Sequence, residues 1–128
     1  MPAKITHITV IARDQEESLN WYSGNLGFEV RTDNSSMGFR WLSIGLPAQK
    51  DLELVLLPPM GEKSEAQIGA QGGTIISTDD CRADIERLRS RGVKVTHEPE
   101  QQPWGTQAVI EDPNGNSLVL IQPPAPMG

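Results

Sequence analysis

The chain has 128 residues, 37% hydrophobic and 22% charged, which suits one compact domain that buries an ordinary core without disulfide or metal staples. Lys and Arg total 11 against 17 Asp and Glu, a formal charge of −6 with no basic cluster. That balance excludes an extended nucleic-acid surface and offers an anionic membrane nothing to attract, and no apolar run reaches the ~20 residues of a membrane span.

Residues 4 to 11 alternate and are rich in β-branched side chains, so they predict a strand. Asp14 follows as a helix N-cap, with Glu16 and Glu17 in the first turn. Leu19, Tyr22 and Leu26 keep a helical period, which Gly24 or Gly27 ends. Phe28 to Arg31 and Phe39 to Ile44 read as strands joined by the polar turn Asp33-Asn34-Ser35-Ser36. Leu52 to Leu57 is a fourth strand, stopped by Pro58-Pro59.

Residues 58 to 72 form a Pro/Gly/polar connection. Thr74 to Thr78 then opens a second series, with Asp80 capping a helix from about Arg82 to Ser90 that Gly92 closes. Val93 to His97, Gln107 to Glu111 and Ser117 to Gln122 are three more strands, the last two joined by the hairpin signal Asp112-Pro113-Asn114-Gly115-Asn116. The arm Glu98 to Gly105, carrying Pro99, Pro103 and Trp104, reads as a loop that lines or covers a site. Residues 123 to 128 read as a loose tail. The single Cys81 has no partner for an internal disulfide and no zinc-type spacing around it. The opening Met1-Pro2-Ala3-Lys4-Ile5 lacks the apolar stretch of a signal peptide, so a cytoplasmic location is expected.

The two series are copies of one βαβββ module, residues 4–57 and 73–122, within a single domain. Asp14 and Asp80 set an offset of 66 residues, which also relates Leu19 to Ile85 and Tyr22 to Leu88 before the copies slip by one at Gly27 and Gly92. Two copies fill the chain, so this is a duplicated module rather than a solenoid.

This pairing, with a first strand carrying His7-Ile8-Thr9-Val10, a helix carrying Trp21-Tyr22 before Asn25-Leu26-Gly27-Phe28, and the closing Asp112-Pro113-Asn114-Gly115-Asn116, resembles the vicinal-oxygen-chelate superfamily. That group includes glyoxalase I, bleomycin-resistance proteins, fosfomycin-resistance enzymes, extradiol dioxygenases and methylmalonyl-CoA epimerase. The resemblance covers about Ile5 to Ile121 and implies an α+β fold, with tandem βαβββ modules forming a curled mixed sheet around a cleft. It does not fix a reaction, because one fold hosts several chemistries.

In metal-dependent members four inward positions hold a divalent ion, two per module. The resemblance maps the first pair onto His7 and Glu53, as metal ligands or, without metal, as an acid/base pair in which Glu53 is the catalytic candidate. The 66-residue offset puts the second pair at Gly73 and Val119, so half the ligand set is missing. Two ligands hold zinc, nickel, iron or manganese poorly, since a catalytic centre normally takes three. His97, Glu111, Gln71 and Gln107 are candidates for a further ligand. Trp41 and Trp104 are candidates for stacking on a planar ligand, with His7 and Gln107 as polar contacts.

The leading expectation is therefore a dimeric protein of the glyoxalase/bleomycin-resistance type, binding a small organic molecule without a complete metal site. The other reading is a divalent-metal-dependent lyase, isomerase or thiol transferase using His7 and Glu53. Full glyoxalase I chemistry is not expected, and the partners implied are a small molecule and a second copy, not nucleic acid or membrane.

Overall fold

A computed structural model describes residues 1–36, 38–59, 64–70 and 74–124. The chain divides into two compact units, Met1–Ala70 and Gln71–Gly128. Each contains one open, mixed four-stranded sheet and one long helix.

In the first unit, β1 (His7–Ile11), α1 (Gln15–Leu26), β2 (Glu29–Asn34), β3 (Trp41–Gly45) and β4 (Glu53–Leu57) form a sheet of order β1-β4-β3-β2. The Asp14 side chain accepts a hydrogen bond from Glu17 N at 3.1 Å, satisfying a free amide at the start of α1. At the other end Gly27 takes φ 79°, and Phe28 N donates to Tyr22 O, so the last carbonyls are closed over by a left-handed cap. Of the two glycines foreseen as stops, Gly27 is the one used.

Helix α1 packs on β4. Tyr22 is buried and meets Phe28 edge-on with ring centroids 5.4 Å apart. With Val10, Leu42, Ile44, Leu54 and Leu56 these rings form the unit's core. The expected turn at Asp33-Asn34 is instead the end of β2, where Asp33 pairs with Leu42 and Asn34 with Trp41. The reason is Arg40, whose Nε and Nη2 grip both oxygens of Asp33 at 2.9 and 2.8 Å while Nη1 reaches Glu16 at 2.7 Å. Arg40 is thus an ion-paired clasp between α1 and β2. Nearby, Arg31 bulges out of register and lies over Gly45, whose missing side chain leaves room for the guanidinium.

A one-turn helix, α2 (Ser64–Gln67), interrupts the connection expected to be irregular. The second unit continues with β5 (Thr74–Ser77), α3 (Cys81–Ser90), β6 (Lys94–Gln102), β7 (Gly105–Glu111) and β8 (Ser117–Gln122), in sheet order β5-β8-β7-β6. Asp80 caps α3 by accepting from Ala83 N at 3.1 Å. Helix α3 packs across β6, β7 and β8, and buries Cys81, Ile85 and Leu88 in a core with Val93, Ala108, Ile110, Leu118 and Leu120.

The arm foreseen at Glu98 to Gly105 is not a loop. Strand β6 continues through it, pairing Glu100 with Gln107, Gln101 with Thr106 and Gln102 with Gly105. Pro99 falls at a register shift between His97 and Glu100, where a missing amide proton costs the ladder nothing. Pro103 and Trp104 alone make the turn. The β7–β8 hairpin is as expected, with buried Asp112 accepting from Asn114 N at 2.8 Å, Asn116 N at 2.9 Å and Asn116 Nδ2 at 2.8 Å. Residues 125–128 of the expected tail lie outside the described residues.

Candidate functional site

In the first unit His7 and Glu53 are direct partners on the parallel strands β1 and β4, with Glu53 N donating to Thr6 O at 2.9 Å. Side chains of a strand alternate between faces, so Thr9, Val55, Trp41 and Ser43 share the face of His7 and Glu53. His7 Nε2 lies 3.6 Å from Glu53 Oε1, a charge contact longer than a hydrogen bond. Thr6 Oγ1 lies 2.8 Å from His7 Nδ1 and holds the ring's other nitrogen. The two side chains are 41% and 23% exposed, so a ligand reaches both.

Trp41 completes the group. Its ring meets His7 edge-on, with centroids 5.9 Å apart and planes at 62°. His7 lies opposite Glu53, two residues before Val55 on β4; Trp41 lies two residues from Ser43 on the Leu57 side, and Ser43 pairs with Val55. The rings therefore occupy opposite ends of a diagonal centred on Val55. On a flat sheet such a diagonal would span ~16 Å between Cα atoms. Contact at 5.9 Å requires the sheet to curl and both side chains to lean inward. On the same face Val55 and Ser43 are fully buried, and Ser43 Oγ has no hydrogen-bond partner among the described residues. Sequence reasoning brought His7, Glu53 and Trp41 to notice but missed Ser43; its parity with Trp41 was the signal available.

The second unit presents a different face. His97 pairs with Val109, and Val109 with Val119, which places His97 on the same side as Val119 and Ile75 and settles its orientation. His97 is exposed, with Thr96 Oγ1 3.3 Å from its Nδ1. Gln107 accepts a 2.7 Å hydrogen bond from Trp104 Nε1, fixing an indole that is 53% exposed at the hairpin tip. Trp104 is therefore held on a tight turn and not on a mobile arm. Glu111 lies 3.3 Å from Lys94 Nζ. Cys81 is buried, and burial, followed by the nearby Asp84, pushes its thiol pKa upward.

The single 66-residue offset does not survive on the last strands. Ile8 pairs with Leu54 as Thr74 pairs with Leu118, so β1 and β5 keep an offset of 66 while β4 and β8 differ by 64. The register counterpart of Glu53 is then Ser117 rather than Val119, because the segments between first and last strands differ in length. Both lie on one face of β8, and neither is acidic. Gly73, the counterpart of His7, lies outside the described residues, as does Gln71.

These donors fit half of a metal centre. An Nε2–Oε1 separation of 3.6 Å is near the ~3.4 Å between neighbouring ligands of a tetrahedral ion bound at about 2.1 Å. Among the described residues no group of three or more His, Cys, Asp or Glu side chains is arranged to hold an ion. A catalytic centre of the kind implied by the resemblance is not assembled from the described residues.

The family model "Glyoxalase/Bleomycin resistance protein/Dioxygenase superfamily" matches residues 4–120. The chain is 33% identical to the crystal structure of TnmS3, an antibiotic binding protein from Streptomyces sp. CB03234, at a TM-score of 0.84 over 96% of this chain and 98% of that one. The crystal structure of UcmS2 gives 34% identity and a TM-score of 0.86, covering 94% and 98%. A probable lactoylglutathione lyase of Synechocystis sp. (strain ATCC 27184 / PCC 6803 / Kazusa) is 25% identical over 92% of this chain and 94% of its own. No helix among the described residues is long and apolar enough to cross a membrane.

Proposed function

Because the chain belongs to the glyoxalase/bleomycin resistance protein/dioxygenase superfamily, we propose that it binds a small organic molecule at the His7–Trp41–Glu53 face, in a sequestering or resistance-like role without chemistry at a complete metal centre. The observation that carries this reading is the convergence of an indole, an imidazole and a carboxylate on one strand face with only two metal-type donors among them. A binding site needs apolar wall and a few placed polar groups, which this face supplies; catalysis by a divalent ion needs a third ligand. The likeness to an antibiotic binding protein supports the same reading.

A panel of glycopeptide, thiol-adduct and aromatic compounds, screened by thermal shift, tests it. A ligand that prefers the folded state raises the melting temperature, and the rise is expected to shrink in Trp41→Ala. No shift with any compound counts against the proposal. The second reading, a metal-dependent lyase, isomerase or thiol transferase, is favoured by the 3.6 Å His7–Glu53 separation alone. Stoichiometric nickel, zinc or manganese in the purified protein, lost in His7→Ala, would establish it over the first. A cytoplasmic homodimer belongs to the same proposal, with sedimentation equilibrium as its check.

A further inference from the structure

We propose that the first unit holds a discrete subsite under the His7–Trp41 contact that takes a planar aromatic ring bearing a hydrogen-bonding substituent, with Ser43 Oγ as its polar contact; this rests on the small-molecule reading above and names the ligand class.

Three observations meet there. Ser43 is fully buried, yet its hydroxyl has no partner among the described residues, an arrangement that folded proteins rarely leave standing. A serine hydroxyl both donates and accepts, so it serves a phenol, a quinone carbonyl or an amide alike. Its neighbours across the sheet are Thr32 on one side and, on the other, Val55, an apolar floor, with Thr9 beyond it. Above this row His7 and Trp41 lean together from opposite ends of the diagonal.

The two rings meet edge-on, 5.9 Å apart between centroids. A planar ligand replaces the imidazole as the partner of Trp41, gaining an offset-stacked contact, and its substituent reaches the buried hydroxyl on the same face. The His7 ring is 41% exposed and its link to Glu53 is long, so its displacement gives up chiefly the solvent-exposed contact with Thr6. Ser43 thus sets specificity: rings with a hydrogen-bonding group bind over rings of the same shape without one. The preference follows because a substituted ring supplies the hydroxyl with a partner, whereas a bare ring leaves it as it was.

Phenol and toluene are the probes, followed through the Trp41 indole N–H signal, assigned by its absence in Trp41→Phe. Phenol is expected to shift that signal saturably and to bind about five- to ten-fold more tightly than toluene. In Ser43→Ala the two affinities become equal, through loss of phenol affinity. The variant also has a melting temperature at or above the wild type, because an unpaired buried hydroxyl is removed. Unchanged preference for phenol in Ser43→Ala would overturn the proposal, as would a phenol response that leaves Trp41 unmoved, or a lowered melting temperature showing that the hydroxyl is paired in the folded protein. A panel compound that binds with no sensitivity to Ser43→Ala would sink this subsite and leave the binding function intact. A Ser43-dependent phenol preference with no response to any panel compound would do the reverse.

Discussion

Replacing Gly105 by alanine is expected to destabilise the second unit far more than the same change at Gly27. Both glycines have positive φ, 133° and 79°. At Gly27 an added Cβ meets nothing within 4 Å, so only the left-handed backbone is penalised, by about 1–2 kcal/mol. At Gly105 the Cβ would sit 2.2 Å from Gln122 O, 3.0 Å from Gln122 C and 3.1 Å from Pro123 Cα, all backbone. Strand β8 or the hairpin must move by about an ångström, which adds roughly 1–3 kcal/mol of overpacking to a conformational cost of about 1–3 kcal/mol. The total is about 2–6 kcal/mol. Urea unfolding followed by far-UV circular dichroism measures both variants, compared at constant m. Trp104 fluorescence reports whether the indole keeps its bond to Gln107, which is expected to fail in Gly105→Ala. Equal destabilisation of the two variants would refute the reasoning, since it would mean that the backbone contact costs nothing.

Asp112→Ala removes a buried acceptor from three donors, Asn114 N, Asn116 N and Asn116 Nδ2, and is expected to cost about 3 kcal/mol in the same unfolding assay. Cys81, buried with its thiol pKa raised above the ordinary 9.0, should resist alkylation by iodoacetamide at pH 8 in the native protein and react promptly once urea unfolds it. The hydrogen bonds from Arg40 hold the Asp33 carboxyl below its usual 3.8, so this pair's stabilisation is present above pH 3.8 and lost as pH falls through the lower folded value. Arg40→Gln should therefore flatten the fall in melting temperature below about pH 3.8, and an unchanged acid limb would contradict the pairing.

Most of the fold was legible because its signals are local. Asp14 and Asp80 are caps whose side-chain bonds reach only three residues, and the turn at Asp112 to Asn116 is written in residues that accept its geometry. Strand β6 was cut short because Pro99 and Pro103 read as breakers, whereas the register shift beside Pro99 absorbs the first and the turn takes the second. Asp33 and Asn34 were read as turn residues because the clasp of Arg40 joins positions seven apart in sequence, with Glu16 farther off. At the site, alternation placed His7 and Glu53 on one wall, and the structure pairs them directly. A fixed repeat offset misplaced Glu53's counterpart, since insertions between strands change register without leaving a mark on either strand. The parity of Ser43 with Trp41 was legible, but that its buried hydroxyl lacks a partner among the described residues was not, since composition cannot show it.

The parallel pairing of β1 with β4 also has a kinetic consequence. Within each unit the opening strand pairs, among the described residues, with the closing strand alone, 46 residues downstream in the case of His7 and Glu53. A nascent chain that has released β1, α1, β2 and β3 still leaves that strand unzipped along both edges, and loop closure over such a span slows assembly. The face that carries His7 and Glu53 is therefore complete only once β4 has been made, after α1 has had the chance to form.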